Sequence, residues 1–293
     1  MKVMLLAAGE GRRLQPYTLE TPKPAIPFLT APLASFSIAL LEKIPVSQLV
    51  VNTHHLPQQI ENLFHWMKLP TSNVVFSSEQ DLLLGSGGGI HKAKVHLNGK
   101  EPFFVMNSDE VILPKKWGLL EEMLEFHRWH KGIATLLTMD HPEVGTKFGG
   151  AWTEIGQTQI QQFSKTQPSQ NLRGHHFIGV MILEPKVFKY FKDQVEIENI
   201  LYETLTKAMS TGEQVHAFNA DCEWFETGNP QDFLKAAKYC SEALLANTDQ
   251  VWLQFLAQTL RVHGEGKLLI EKSNFELESL IRAAFEKQTI RLD

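Results

Sequence analysis

The first apolar stretch of the chain, residues 3–8, runs without a polar break and stops at Gly9 and Gly11. An uninterrupted run this short predicts a strand buried on both faces, as inside a parallel sheet. Residues 32–44 then carry Leu33, Phe36, Ile38, Leu40, Leu41 and Ile44 on a helical spacing. A second strand is predicted at 48–52, a helix at 54–68 and a third strand at 73–77. Strands alternating with helices predict βαβ units with right-handed crossovers, hence an α/β fold with a Rossmann-like, mostly parallel sheet flanked by helices.

Further along, 103–106 and 133–139 read as strands around an amphipathic helix at 119–131. Short β segments surround Gly156 between 148 and 163, a strand follows at 176–185, and helices are predicted at 198–211, 230–245 and 250–261. Beyond Gly264 and Gly266 the pattern predicts a strand at 267–270 and a final helix at 275–287.

Composition changes this picture little. With 43% hydrophobic and 21% charged residues the chain reads as an ordinary globular protein. A net charge of −5 argues against nucleic acid as a partner, so any basic cluster is a local site. Two cysteines, Cys222 and Cys240, make neither a disulfide scaffold nor a zinc motif, and a reducing cytoplasm is the expected location. The apolar run after Met1-Lys2 breaks at Gly9, short for a signal peptide, and no run of about eighteen apolar residues exists to span a membrane.

The candidate chemistry starts where the first strand ends. Ala7, Ala8, Gly9 and Gly11 leave almost no side-chain bulk, so a phosphate or base can approach backbone N–H groups directly. Arg12, Arg13 and Lys23 add three cations, and Pro16, Pro22, Pro24 and Pro27 stiffen the loop that carries Lys23. The segment lacks the Gly-Lys-Ser/Thr of a P-loop, and Leu14 stands at the third glycine of the dinucleotide fingerprint.

What the segment does resemble is the signature of the sugar-nucleotide pyrophosphorylases, the nucleoside-triphosphate:sugar-1-phosphate nucleotidyltransferases: L-A-A-G-x-G-x-R-L-x-P-x-T-x-x-x-P-K-P. Leu6, Ala7, Ala8, Gly9, Gly11, Arg13, Leu14, Pro16, Thr18, Pro22, Lys23 and Pro24 stand at the matching positions. The resemblance implies that this loop wraps a triphosphate, with Arg13 and Lys23 on its oxygens. It carries no role to Arg12.

A second glycine-rich stretch, Glu79 to Gly89, resembles the segment that holds the nucleobase in that family. It implies Glu79, Gly85, Gly87 and Gly88 as base-side residues, with a helix starting near Ile90, and Leu83 stands about where the family has proline. The triple glycine followed by Ile90 is most similar to bacterial N-acetylmuramate-1-phosphate uridylyltransferases, implying a cell-wall precursor and UTP. Asn107-Ser-Asp109 resembles the family's metal-aspartate motif, and Asp109 at a strand end suits magnesium, which takes one or two carboxylates plus phosphates. Glu110 is read as a structural neighbour pointing the other way.

Three elements in the second half resemble the acceptor side. Phe148-Gly149 and Ser164-Lys165 match the family's Y-G and E-K-P elements, with serine in place of glutamate, and Gly179 matches a strand glycine against which the sugar lies. Asn107, Gly149, Lys165 and Gly179 are thereby the implied sugar-phosphate residues. Glu223 to Pro230 resembles W-x-D-[IV]-G-T-P, whose aspartate is the second metal ligand; here that place is held by Glu226. His127 and His130 lie three apart on a predicted helix without a supporting acid or thiol, and they read as a packed or solvated face.

The resemblance thus implies a catalytic domain over 1–245, with a nucleotide half to about 110 and a sugar-phosphate half containing a small β portion after it. A mostly helical extension occupies 246–293, for which a cover over the core and a homodimer contact are both open. The implied reaction is magnesium-dependent transfer of a nucleotidyl group, UTP favoured, from a nucleoside triphosphate to a sugar 1-phosphate. The alternatives are a GTP:mannose-1-phosphate enzyme and a non-catalytic regulatory homologue that binds nucleotide sugars.

Overall fold

The computed structural model describes residues 1–264 apart from 81, 247 and 248. The predicted strand at 267–270 and helix at 275–287 lie outside the described residues, as does most of the extension for which a dimer contact was considered.

The nucleotide half builds from β1 (Lys2–Leu6), a small ribbon of β2 (Pro27–Phe28) and β3 (Ala31–Pro32), α1 (Ala34–Leu40), β4 (Gln48–Thr53), α2 (Pro57–Trp66) and β5 (Val74–Ser78). It continues through α3 (Gly85–Lys92), α4 (Lys94–Leu97) and β6 (Phe103–Asn107). The second half contains β7 (Val111–Pro114), α5 (Leu119–His130), β8 (Ala134–Met139), β9 (Gly150–Glu154), β10 (Ile160–Ser164) and β11 (Leu172–Leu183). After a π-helical turn (Ile200–Leu205) come α6 (Thr206–Ser210), β12 (Val215–Asn219), β13 (Cys222–Phe225), α7 (Pro230–Leu245) and α8 (Val251–His263).

One nine-stranded sheet organises these elements, with the central path β10-β9-β11-β6-β1-β4-β5 and with β8 and β12 off β11. It is parallel through β6, β1, β4 and β5, and it turns antiparallel at β11, which pairs with β6, β8 and β9. The predicted parallel core is therefore present, and its second half is mixed.

The unbroken apolar run of β1 has a direct structural cause. Val3 and Leu5 belong to one fully buried cluster and Met4 to the other, so both faces of the strand are covered and neither tolerates a polar residue. β6 divides in the same way, with Phe104 and Met106 on one side and Phe103 and Val105 on the other.

Register then decides where the site forms. Leu6 pairs with Asn52 on one side and Asn107 on the other, so three strands end level at the carboxyl edge. Val180 pairs with Met106 from the antiparallel side, which brings Gly179 to the same edge. The two-stranded ribbon of β7 and β13 closes over this edge, with Phe225 opposite Val111. Helix α8 buries Trp252, Leu253, Phe255, Leu256 and Leu260 in the cluster that includes α1, so this part of the extension covers the core.

One expectation changes and one strand is added. The second glycine-rich stretch enters a helix at Gly85, not near Ile90, so three of its four glycines are interior helical residues. β12 was not legible because it is short and carries the polar, buried His216 in mid-strand.

Candidate active site

The three level strand ends open into a cleft of about 440 Å³. Its floor is the backbone after β1, with Leu6, Ala7, Ala8, Gly9 and Gly11; Arg12, Arg13, Lys23 and Pro24 come from the following loop, and Asn107, Ser108 and Asp109 from the end of β6. Gly11 sits at φ +62°, and a Cβ there would lie 2.7 Å from Thr18 Cγ2, so only glycine allows the loop to turn back toward Lys23. Asn52, Leu83, Gly85, Ser86 and Gly228 complete the lining. Sequence reasoning gave no site role to Asn52, Leu83, Ser86 or Gly228: Asn52 stands in no motif, and the other three lie within segments whose other residues drew the assignment.

Lys23 Nζ lies 2.7 Å from Asp109 Oδ2, and both side chains are more than two-thirds buried. Burial by itself pushes the Lys23 ammonium down, but Asp109, Glu110 and Glu226 together hold its pKa above the usual lysine value. Arg13 reaches Glu226 Oε1 at 3.6 Å, and the Gly228 N–H donates to the same oxygen at 2.7 Å. A Cβ at Gly228 would collide with both the Arg13 guanidinium and the Glu226 carboxylate, which is why glycine follows the acid so closely. Thr227 Oγ1 donates to the Asp109 carbonyl at 2.8 Å and ties the two acidic segments together.

Glu110 lies outside the cleft lining, behind Asn107. Its Oε1 accepts from Asn107 Nδ2 at 3.1 Å and its Oε2 from Trp224 Nε1 at 2.9 Å. Burial first, then the charge of Asp109, raises its pKa to about 7, with Lys23 and the two N–H donors working in the opposite direction.

Several implied residues stand elsewhere. Glu79 is buried and lies outside the cleft lining: Oε1 accepts from Asn52 Nδ2 at 2.6 Å and Oε2 from the Leu84 N–H at 2.8 Å. Asn52 in turn accepts from the Ala7 N–H at 2.7 Å, so Glu79 braces the cleft floor from behind. Gly85 lines the cleft, but Gly87 and Gly88 do not. The Gly87 N–H donates to Glu198 O at 2.8 Å, and a Cβ on Gly88 would strike Glu196 O and lie 2.9 Å from Leu84 Cβ. These two glycines serve the close packing of α3 on the 196–198 segment.

On the acceptor side, Lys165 is exposed just beyond β10 and lies outside the lining. Gly149 packs against the Tyr202 hydroxyl. Gly179, at φ +86°, faces Asn107 and Glu110: a Cβ there would lie 2.9 Å from Asn107 Nδ2 and 2.7 Å from Glu110 Cγ. Lys147, not singled out in the sequence, lies 3.2 Å from Asp232 and has its pKa raised chiefly by that hydrogen bond, with a smaller contribution from Glu226. Rings of Phe148, His176 and Trp224 cluster beside it: the Phe148 centroid lies 4.4 Å from His176 at a tilt, and Trp224 meets His176 edge-on at 4.7 Å.

The donor set fits a hard divalent ion. Among the described residues no group of three His, Cys, Asp or Glu side chains converges on one point, but Asp109 and Glu226 supply two carboxylates beside open cleft, and magnesium needs no more from the protein when phosphates provide the rest.

The nucleotidyl transferase family model matches residues 2–243. A UTP–glucose-1-phosphate uridylyltransferase of Synechocystis sp. is 28% identical over 247 residues, covering 81% of this chain and 63% of that protein. Mannose-1-phosphate guanyltransferase 2 of Candida glabrata is 30% identical over 240 residues, covering 80% and 63%. The chain thus spans less than two thirds of the length of these relatives. A UDP-glucose pyrophosphorylase structure from Acinetobacter baumannii superposes with a TM-score of 0.69 at 18% identity, covering 89% of this chain and 98% of that one, a likeness of fold. No helix among the described residues is long and apolar enough to cross a membrane.

Proposed function

The chain belongs to the nucleotidyl transferase family, and from that premise we propose that it transfers a nucleotidyl group from a nucleoside triphosphate to a hexose 1-phosphate, giving a nucleotide sugar and pyrophosphate. The observation that carries this reading is the Lys23–Asp109 pair at the mouth of a glycine-floored cleft, with Arg13 and Glu226 facing it. Cations and carboxylates alternate there, the arrangement needed to bind a polyphosphate and a divalent ion together.

The sugar phosphate is already anionic, so its oxygen attacks the α-phosphorus without a protein nucleophile. The bond from the α-phosphorus to the α,β-bridging oxygen breaks, and pyrophosphate leaves with the electron pair. The chain's residues position and neutralise. The bulk-free floor at Ala8, Gly9 and Gly11 lets N–H groups meet phosphate oxygens, Arg13 and Lys23 hold the triphosphate, and Asn107 and Gly179 border the acceptor side. Asp109 and Glu226 would hold magnesium, which supplies charge neutralisation to the phosphates when bound. Lys23, whose Nζ is paired with Asp109, would turn to a phosphate oxygen when the triphosphate binds.

UTP is the first nucleotide to try, in keeping with the uridylyltransferase among the relatives, and glucose 1-phosphate replaces N-acetylmuramate 1-phosphate as the first acceptor. The guanyltransferase relative supports a second reading with GTP and mannose 1-phosphate. Pyrophosphate release measured with magnesium over a matrix of UTP, GTP, dTTP, CTP and ATP against glucose, mannose and N-acetylmuramate 1-phosphates decides between them. Silence across the matrix, with nucleotide binding intact, would refute an enzyme and leave a nucleotide-sugar-binding regulator.

A further inference from the structure

Of the implied sugar-phosphate residues Asn107, Gly149, Lys165 and Gly179, Asn107 is the one that lines the cleft, and its amide has two chemically opposite ends. Which end a ligand meets is settled behind it. Asn107 Nδ2 donates to Glu110 Oε1 at 3.1 Å, the arrangement an ionised carboxylate requires, so the NH2 end faces Glu110 and the carbonyl end is left toward the cleft. The same Glu110 takes the Trp224 indole N–H on its other oxygen at 2.9 Å. Gly179 packs over the Asn107–Glu110 pair at φ +86° with no room for a side chain of its own.

We infer that Glu110 is a positioning residue that fixes the flip of Asn107, so that the acceptor sugar meets a carbonyl oxygen and is selected for a hydroxyl donor at that point. The inference rests on the reading of the cleft as a nucleotide-sugar site and specifies one contact within it. It also accounts for a buried carboxyl that no cation contacts: the neighbouring Lys23 is bonded to Asp109, while Glu110 is served by two N–H donors.

The geometry predicts how this device fails and how it is repaired. In Glu110→Gln the side chain has one oxygen. Trp224 Nε1 can only donate and claims that oxygen, so the new NH2 faces Asn107, which must turn its own oxygen inward and show its NH2 to the sugar. Adding Trp224→Phe removes the competing donor, frees the glutamine to rotate, and lets Asn107 return. A merely structural role for Glu110 predicts the reverse, further loss in the double variant.

The test is titration calorimetry with UDP, UDP-glucose, GDP and GDP-mannose on the purified full chain, reading the ratio of nucleotide Kd to nucleotide-sugar Kd as the sugar contribution. Expected results are a roughly tenfold fall of that ratio in Glu110→Gln, the consequence of one opposed hydrogen bond, with the UDP or GDP Kd unchanged. In Glu110→Gln/Trp224→Phe the ratio recovers to within about threefold of the parent, as expected if the opposed bond is relieved. Thermal melting of each variant checks that it is folded. An unchanged ratio in Glu110→Gln, a deeper loss in the double variant, or no sugar contribution in the parent with either pair overturns the inference. A normal sugar contribution without turnover on any substrate strikes the proposed activity and leaves the role of Glu110 standing.

Discussion

Gly88→Ala separates two meanings of the second glycine-rich stretch. If that glycine exists for a ligand to approach, alanine weakens binding; if it exists for packing, alanine destabilises the fold. The structure gives the magnitude. A Cβ at 88 strikes the Glu196 carbonyl oxygen and lies 3.2 Å from its carbonyl carbon, so the 196–198 backbone must retreat. That retreat loosens three hydrogen bonds: Glu198 N to Leu84 O at 3.0 Å, Gly87 N to Glu198 O at 2.8 Å and Gly88 N to Glu198 O at 3.3 Å. At about 1 kcal/mol each the loss is roughly 3 kcal/mol. Alanine returns roughly 1 kcal/mol of helix propensity in α3, leaving a net destabilisation of roughly 2 kcal/mol. For a chain of this size that lowers Tm by about 4–8 °C. The companion is Gly9→Ala, whose Cβ would meet nothing within 4 Å and should melt as the parent does while weakening UTP binding. Thermal melts paired with UTP titration read both quantities. A Gly88→Ala protein that melts normally and has lost UTP affinity would refute the packing argument.

Asp109→Asn should fold and lose turnover by about a hundred- to a thousandfold, the usual scale for removing one electrostatic partner of a reacting phosphate; normal kcat at saturating magnesium would remove Asp109 from the mechanism. Glu226→Asp should keep turnover within about tenfold, since the charge and oxygens remain while the bond from the Gly228 N–H is strained; steady-state kinetics that show no activity would mean the site is built for the longer acid. Acid should destabilise the fold through its buried imidazoles. Burial first, then neighbouring positive groups, pushes His127, His176 and His216 down to about 4. The unfolded chain therefore binds protons that the native state refuses between about pH 6.5 and 4, and stability falls as pH drops through that window. His127 alone accounts for up to about 3 kcal/mol of this. A Tm that stays flat from pH 7 to pH 4 would show that these rings are protonated in the native state.

The sequence by itself determined the parallel core and the small-residue floor of the cleft. Both are local: a strand covered on both faces admits only apolar residues, and a loop without side-chain bulk is written as alanine and glycine, so both can be read from Val3 to Gly11 in consecutive letters. Asp109 was legible for the same reason, standing at the end of an apolar strand that register sets level with the floor.

Tertiary structure alone decided what each remaining glycine and acid faces. Gly85, Gly87 and Gly88 look alike in sequence, yet the first lines the cleft and the other two are pressed against a remote backbone near Glu198. What Glu79 and Glu110 bond to could not be read locally, because some of their partners, Asn52 for one and Trp224 for the other, come from remote strands. A backbone period or a charge can be read from neighbours along the chain. The direction of a hydrogen bond, or the atom that fills the space beside a missing Cβ, depends on segments that meet only when the sheet closes.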